Sequence, residues 1–435
     1  MAEMIDILWQ QANQATQTNR PADAVCYLAE IVSTEPTDRQ ARLWLALALG
    51  YAGNPTAALD ILRQMAERLA HEGRLLEAII VARHGLENAG DNPTFVQVLE
   101  RIHIRGARAK AGNLPPAPPP RPGKGGGGGV SAVSLIQSPL PERLARAAQV
   151  GLALPPPEPP VELVPLPLFG ELETPAFIEV VKRLRYFRVA PGTRILREGE
   201  PGDSVLILAS GQASVIKGSA SVAQLGAGAV LGEMGMITRA PRSATVIADT
   251  PVEYFELPRS EVVALAKLQP KVADELSAYC RGRLLQNLLR NSPLFSRFDE
   301  ATRLDLLRRF QPTTYEPDET IIVQGQPASG LYLIASGEVD VRIANEDGDM
   351  VTVATLGPGE VVGEISLLRN QPASAYVTAR NTVGGLVLPT EEFYRVLQEH
   401  PGVHEYLETI TAERLKTSRD VVEGGVIDAD DLIIL

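Results

Sequence analysis

The chain has only two cysteines among its 435 residues, and they lie far apart at Cys26 and Cys280. Two such distant thiols make neither a disulfide framework nor a metal cluster, so we expect both to be small buried residues in a reducing, cytoplasmic compartment. No apolar run of about eighteen residues is present, which argues against a membrane span. The first residues lack a basic region followed by an apolar one, so no secretory signal is expected.

Positive charge is also scarce, since 41 Lys and Arg stand against 53 Asp and Glu, for a net charge of −12. This balance disfavours a nucleic-acid partner, which needs a basic face. The five histidines form no ligand set, and a nucleophile elbow, a zinc motif and a phosphate-transfer loop are all missing from the sequence. We therefore expect no catalytic residue, no metal site and no enzymatic activity.

Residues 1–107 carry the periodicity of amphipathic helices. Apolar residues recur at helical spacing in two segments: Ala24, Tyr27, Leu28, Ile31 and Val32, then Ala58, Ile61, Leu62, Met65, Ala66 and Leu69. Proline-marked breaks predict helix ends at 19–21, 35–38, 53–55 and 91–93.

The two helical segments also repeat at a fixed period. Ala24 and Ala58 lie 34 residues apart, each just after a proline-marked break, and this period resembles that of tetratricopeptide repeats. Stacked repeats present a concave face to other proteins, so we expect a protein partner to bind residues 1–107. A plain helical bundle that packs only on itself is the alternative.

The composition changes abruptly between residues 108 and 164. Residues 113–120 are rich in proline and residues 125–129 are all glycine, which predicts a linker with a stiff part and a freely flexible part. Residues 140–150 have the pattern of a helix inside this linker. Such a helix would be either a docking peptide for a partner or an inert spacer.

The rest of the chain contains one unit twice. Residues 191–201 align with 317–327 at an offset of 126, whereas Gly232 and Gly363 align at an offset of 131. The second copy therefore has five extra residues, which we place in a hairpin at 345–349. Each copy alternates short β-branched runs with Gly, Pro and Asp turns, the pattern of a small β-roll or jelly-roll barrel.

The sequence thus predicts a multidomain protein that combines α and β domains. A helical repeat region at 1–107 precedes the Pro/Gly-rich linker at 108–164. Two tandem barrels with flanking helices follow at 165–292 and 293–420, and an acidic, apolar tail occupies 421–435.

The most informative stretch is residues 230–246, in the first copy. Small residues at Gly232 and Gly235 let the backbone close in on a ligand, and N–H groups at the start of a short helix can face a phosphate. Arg242 supplies a forked, permanently charged partner for an anion, while Glu233 can only accept hydrogen bonds, which suits a sugar hydroxyl. A ligand with both a ribose-type hydroxyl and a phosphate satisfies both side chains.

This stretch resembles the phosphate-binding cassette of the cyclic-nucleotide-binding domain family, the sensor module of catabolite activator proteins and of protein kinase A regulatory subunits. The family pattern is Phe-Gly-Glu-x-Ala-Leu, a short loop and Pro-Arg-x-Ala-x-Val, from which Leu231 and Gly235 depart mildly. The resemblance implies that Glu233 holds the ribose hydroxyl, and that Arg242 and the backbone around Gly235 hold the cyclic phosphate. The implied ligand-binding residues are Gly232, Glu233, Met234, Gly235, Arg242, Ser243 and Ala244.

The base of the ligand stays open at this point. Ser243 follows Arg242, where family members that favour guanine often carry a Thr, and a Ser hydroxyl leaves both purines open. Cyclic AMP and cyclic GMP are therefore the expected ligands, with a cyclic dinucleotide as an open alternative.

The second copy keeps only part of the cassette. Gly363 and Glu364 persist, but Ala373 occupies the position of Arg242. Burying a phosphate without its charge partner costs about 3–5 kcal/mol, so we expect a degenerate site with a structural, dimerising or different ligand-binding role. Arg369, four residues upstream of Ala373, is the one nearby cation that could replace the missing charge.

These features favour a non-enzymatic signalling adapter, in which a cyclic nucleotide binds the first barrel and changes how the chain binds a protein partner. A kinase regulatory subunit is an alternative, although residues 108–165 lack the inhibitory Arg-Arg-x-Ala/Ser-apolar stretch. A scaffold whose barrels bind no nucleotide is another, and a homodimer is compatible with each. A transcription factor is disfavoured, because only fifteen residues follow residue 420.

Overall fold

The structure is a computed structural model that divides into two compact units, each considered by itself. The first unit comprises Met1–Tyr186 with Ala227–Ala229, and the second comprises Phe187–Gly226 with Val230–Leu435. The structure describes residues 2–90, 93–110, 129–155, 169, 172–218, 220–238, 240–268, 270–272, 274–276, 278–280, 282, 300–344 and 350–424. Among these residues, no helix is both long and apolar enough to cross a bilayer.

The first unit is built of helices. They are α1 (Ala2–Gln17), α2 (Pro21–Thr34), α3 (Arg39–Tyr51), α4 (Pro55–His71), α5 (Leu75–Ala89), α6 (Pro93–Lys110), α7 (Ala132–Gln137), α8 (Leu140–Leu152) and α9 (Thr174–Arg183). From α1 to α6, each helix packs against the next in the chain. The predicted breaks at 19–21, 35–38 and 53–55 are confirmed, since each separates two of these helices.

Local sequence explains where these helices begin. The side chain of Asp38 accepts a hydrogen bond from the backbone N–H of Ala41 at 2.9 Å, and that of Asn54 accepts one from Ala57 at 3.2 Å. Both residues therefore cap first-turn N–H groups that lack a helical partner. Gly53 adopts φ +100°, a left-handed turn conformation that only glycine takes up readily.

The helical repeat is regular over its first period only. Pro21, Pro55 and Pro93 lie in the first turns of α2, α4 and α6, at spacings of 34 and then 38 residues. The region is helical as expected, and its tetratricopeptide-like character stays a prediction. Cys26 is fully buried, and burial raises the pKa of its thiol to about 11. Cys280 is buried too, so both cysteines are the small core residues that the sequence predicted.

The predicted linker at 108–164 is in part a packed element of the first unit. Helix α8, which covers the helix predicted at 140–150, packs against α2, α3 and α4, and α7 packs against α2. Their apolar residues, among them Leu135 and Leu144, are buried there. Residues 129–155 therefore belong with the N-terminal helices, whereas the proline-rich run at 113–120 lies outside the described residues.

A buried arginine on α3 is one of the residues that join α8 to this helical stack. The Arg42 guanidinium, on α3, donates hydrogen bonds to the backbone oxygens of Val150 at 3.2 Å, Gly151 at 2.6 Å and Ala153 at 3.2 Å. It also donates to the oxygen of Pro36 at 2.8 Å. Burial lowers the pKa of Arg42 to about 10, so the side chain stays charged near neutral pH. Arg42 thereby donates to carbonyls in the last turn of α8 and just beyond it, where a helix runs out of backbone donors.

A second buried polar contact joins α6 to α9, which was predicted to belong to the first barrel domain at 165–292 and instead packs on α5 and α6. His103, on α6, is 6% exposed. One ring nitrogen, Nε2, lies 3.1 Å from the oxygen of Phe169, and Nδ1 lies 3.0 Å from Oγ1 of Thr174. The carbonyl can only accept, so the neutral ring carries its proton on Nε2 and accepts from the threonine hydroxyl at Nδ1. The ring also stacks on Phe177, with centroids 4.7 Å apart.

This environment makes the stability of the first unit pH-dependent. Burial lowers the pKa of His103 below its ordinary value of 6.5, so the unfolded chain binds a proton more readily than the folded one. We expect the free energy of unfolding to be undiminished above pH 6.5 and to fall as the pH drops below it. Thermal unfolding of the wild type and of His103→Gln, followed by circular dichroism at pH 8 and pH 5, measures this. The variant should lose less stability on acidification, and equal losses would contradict the assignment.

The second unit contains the two predicted β copies. Strands of the first copy are β1 (Arg185–Val189), β2 (Arg194–Leu196), β3 (Ser204–Ser210), β4 (Ala213–Lys217), β5 (Ala220–Leu225), β6 (Val230–Leu231), β7 (Thr245–Ala248) and β8 (Val252–Pro258). Strands of the second copy are β9 (Gln311–Tyr315), β10 (Thr320–Ile322), β11 (Gly330–Ser336), β12 (Val339–Ala344), β13 (Met350–Leu356), β14 (Val361–Val362), β15 (Tyr376–Ala379) and β16 (Val383–Pro389).

Helices alternate with these strands at equivalent places in the two copies. They are α10 (Glu233–Thr238) and α11 (Arg259–Leu268) in the first copy, and α12 (Glu300–Arg309), α13 (Glu364–Arg369), α14 (Thr390–Glu399) and α15 (Pro401–Gly424) around the second. Each copy therefore has a short helix directly after its shortest strand, where the cassette was predicted.

Each copy is a sandwich of two four-stranded antiparallel sheets. The sheets are β1-β8-β3-β6 and β2-β7-β4-β5 in the first copy, and β9-β16-β11-β14 and β10-β15-β12-β13 in the second. Ile207 pairs with Val230 in the first copy, and Leu333 pairs with Val361 in the second, which are equivalent positions of the repeat. The internal repeat is thereby confirmed, although the hairpin at 345–349 lies outside the described residues.

Candidate functional site

The first cassette begins with a glycine that brings an arginine close to the backbone. Gly232 connects β6 to α10 with φ +80°, in the left-handed region. A Cβ atom placed on it would lie 1.9 Å from Nη1 of Arg242, so no other residue fits here without moving the guanidinium. Arg242 Nη1 donates to the oxygen of Gly232 at 3.3 Å, and Nη2 donates to Oγ of Ser204 at 2.9 Å. The arginine is thus held against the start of the cassette helix.

Two further glycines allow the cassette helix to approach a neighbouring loop. A Cβ atom on Gly235 would lie 2.7 Å from the oxygen of Gly202, and one on Gly202 would lie 2.5 Å from the oxygen of Ala240. The sequence predicted that Gly235 lets the backbone approach a ligand. In the structure, this glycine is required for packing against Gly202, which the sequence did not indicate, and its role at a ligand stays a prediction.

The charged side chains of the cassette point inward. Arg242 is 8% exposed and Glu233 is 6% exposed. Burial lowers the pKa of the Arg242 guanidinium, while the carboxylates of Glu256, Asp203, Glu233 and Glu200 act in the opposite direction. The buried cation is therefore stabilised by acidic neighbours, of which only Glu233 was predicted from the sequence.

The remaining predicted residues take different positions. Ser243 is exposed, and Ala244 is partly buried. Met234 packs its side chain against the buried core of the second sandwich, a cluster that includes Phe393 and Leu407. The structure thus brings Gly232, Glu233, Gly235 and Arg242 together, whereas the side chain of Met234 contacts the second sandwich.

Another arginine, missed by the sequence reasoning, ties the cassette helix to the helix that follows the sandwich. Arg259 is the first residue of α11, and its Nη1 donates to the oxygen of Met236 at 2.7 Å. Its Nη2 donates to the oxygen of Gly235, and its Nε lies 3.5 Å from a carboxylate oxygen of Asp203. Arg259 therefore connects the cassette helix to the first turn of α11. Because Arg259 lies outside residues 230–246, the cassette motif did not indicate this role.

The second cassette has the same backbone with different chemistry. Gly363 has φ +92°, like its equivalent in the first copy. A Cβ atom on it would lie 3.3 Å from Cδ1 of Ile322, so a methyl group stands where the first copy has a guanidinium. Ala373 is 7% exposed and carries no charge. Arg369 does not replace the missing cation, because it lies on the outside and pairs with Glu408 at 2.8 Å.

Comparison with known proteins agrees with this geometry. The family model for the cyclic nucleotide-binding domain matches residues 186–268 and residues 312–400, one match for each sandwich. The two sandwiches are cyclic nucleotide-binding domains. The fold and the tandem arrangement expected from the sequence are thereby confirmed.

Two relatives of this chain are kinase regulatory subunits. The chain is 31% identical over 230 residues to a cAMP-dependent protein kinase regulatory subunit of Yarrowia lipolytica. This alignment covers 53% of this chain and 58% of that protein. It is 29% identical over 231 residues to a cAMP-dependent protein kinase type II regulatory subunit of Drosophila melanogaster. That alignment covers 53% of this chain and 59% of the relative. The chain thus spans less than two thirds of the length of either relative.

A solved structure is also similar to part of the chain. The regulatory domain of Toxoplasma gondii PKA, crystallised with cAMP, is 21% identical, with a TM-score of 0.31. The alignment covers 57% of this chain and 92% of that one.

Proposed function

We propose that the chain is a non-enzymatic cyclic-nucleotide sensor, which binds one cyclic nucleotide in its first sandwich and relays binding to a protein partner. The observation that carries this proposal is the buried Arg242 at the start of the cassette helix, next to the buried Glu233. Arg242 would pair with the cyclic phosphate and Glu233 would accept from the ribose hydroxyl. Cyclic AMP and cyclic GMP are the ligands proposed.

The relay proposed starts from Arg259. Its bonds to the oxygens of Gly235 and Met236 link the cassette helix to α11. A ligand that draws the cassette towards its phosphate would therefore favour one position of α11 over another. The N-terminal helices at 1–107 are the surface proposed for the protein partner.

Calorimetric titration of the full chain with cyclic AMP and with cyclic GMP tests the sensor. We expect one nucleotide bound per chain, because the second cassette lacks the arginine. Hydrogen exchange of residues 259–268, measured with and without nucleotide, should change on binding. Absence of binding by both nucleotides, or two equivalent sites per chain, would contradict the proposal.

A second candidate is a kinase regulatory subunit, which the two relatives from Yarrowia and Drosophila favour. This function predicts that the chain inhibits the catalytic subunit of cAMP-dependent protein kinase and that cyclic AMP reverses the inhibition. A peptide phosphorylation assay with the purified catalytic subunit distinguishes the two candidates. Nucleotide binding without inhibition supports the adapter, and reversible inhibition supports the regulatory subunit.

A further inference from the structure

The second sandwich has a partly open cavity of about 110 Å³ at its cassette. Gly363, Glu364 and Ala373 line it from the cassette, and apolar strand residues such as Val341 and Val377 line the rest. An engineered apolar cavity of about 150 Å³ is known to bind benzene. The space in the second sandwich therefore suits an apolar body of about the size of one small ring.

The cation at this cavity is Arg414, which lies on α15 and not in the cassette. Arg414, on α15, lines the cavity and binds Oε1 of Glu364 through Nη1 at 2.8 Å. The same nitrogen donates to the oxygen of Val361 at 2.6 Å, and Nη2 lies 3.6 Å from Oε1 of Glu360. Helix α15 also packs against α13, α14 and β13, and so covers this edge of the sandwich.

The charges around the cavity disfavour an ionic ligand. One guanidinium stands beside two carboxylates, Glu360 and Glu364, so the local charge is negative and would repel a phosphate. A cationic ligand would have to displace Arg414, which its helix holds in place at high effective concentration. Among the described residues, Arg414 is the only side chain that bonds the Glu364 carboxylate, and it does so through Oε1. The second oxygen, Oε2, thus remains as an acceptor.

We propose that this cavity is a binding site for a small uncharged molecule, with an apolar body of about ring size and a hydroxyl or amino group that donates to Glu364. Helix α15 forms its cover, and Arg414 neutralises Glu364 in place of a ligand cation. Ala373 and Ile322 supply apolar contacts where the first sandwich has the charge of Arg242. The site thereby differs from the first in the class of ligand it selects. This inference does not depend on nucleotide binding by the first sandwich.

Three probes of similar shape and different charge test the site: phenol, benzoate and benzylammonium. Each is titrated into the full chain and followed by ligand-observed NMR. We expect phenol to bind with a Kd of about 1 mM or below. Benzoate should bind at least about tenfold more weakly, because the two carboxylates repel it. Benzylammonium should also bind at least about tenfold more weakly, because Arg414 already pairs with Glu364 and Glu360. Equal binding of the three probes, or no binding of phenol, overturns the proposal.

Two variants locate the binding. Ala375 lines the cavity, so Ala375→Leu should fill it and abolish phenol binding, whereas Ala412→Leu, at an exposed position of α15, should leave phenol binding unchanged. Arg414→Gln removes the internal cation, so benzylammonium should become the preferred probe. Circular dichroism verifies that each variant is folded. Retained phenol binding by Ala375→Leu, or an unchanged order of probes for Arg414→Gln, overturns the proposal.

Discussion

Replacement of Arg242 by alanine is expected to weaken cyclic-nucleotide binding by at least about 100-fold, since a buried phosphate without its charge partner costs about 3–5 kcal/mol. The guanidinium is held beside the cassette by Ser204 and by the oxygen of Gly232. Arg242→Lys should retain part of the affinity, because lysine keeps the charge but lacks the planar fork. Calorimetric titration with cyclic AMP and cyclic GMP measures both losses.

A matched control is available on a neighbouring strand. Arg194 lies on β2, in the sheet that also contains β7, and its side chain is exposed. Arg194→Ala should therefore leave the Kd within about twofold of the wild-type value, since solvent and salt screen the interaction between an exposed arginine and the ligand phosphate. A wild-type Kd for Arg242→Ala, or equal losses for the two alanine variants, would contradict the assignment of Arg242.

Replacement of Arg42 by methionine should produce the largest loss of stability in the first unit. Three backbone oxygens at the end of α8 and that of Pro36 would lose their charged donor in a buried place. Hydrogen bonds to charged groups contribute about 1.5–3 kcal/mol each, and they are not additive. We expect a loss of about 3–5 kcal/mol in the local stability of α8. Its amide hydrogens should then exchange at least about 100-fold faster, as measured by mass spectrometry.

The same substitution at Arg63 serves as the control. Arg63, on α4, pairs only with the carboxylates of Asp60 and Glu67 among the described residues, and about a third of its side chain is exposed. Partly exposed pairs of this kind contribute about 0–1 kcal/mol. Exchange in α8 should thus be nearly unchanged in Arg63→Met, and similar acceleration in both variants would show that Arg42 has no special role.

Much of the fold could be predicted because its signals are local or repeated. Proline, asparagine and aspartate mark the helix starts at Pro21, Asp38 and Asn54, and the aligned halves of the repeat predicted one β unit twice. The packing of α8 could not be predicted in this way. Arg42, which binds the end of α8, lies more than a hundred residues earlier and looks like an ordinary charged residue of an amphipathic helix.

Part of the candidate site could likewise be predicted from the sequence, and part could not. Gly232, Glu233 and Arg242 stand in a short stretch at motif spacing, so the sequence predicted that they meet. Arg259 and Arg414 reach their cassettes from helices that follow each sandwich, and no spacing rule connects them to the cassette. The direction of Met234 was also hidden, because a methionine in a cassette has the same sequence pattern whether it faces a ligand or a second domain.

The contact of Met234 with the second sandwich has a practical consequence for the choice of fragments. A recombinant piece that stops before α12 would leave this thioether, at the heart of the nucleotide cassette, without the apolar neighbours it has in the intact chain. Affinities obtained with such a truncated piece should therefore be compared with those of the full chain. Point substitutions in the full chain keep this contact, so they are preferable to isolated domains for measurements of ligand affinity.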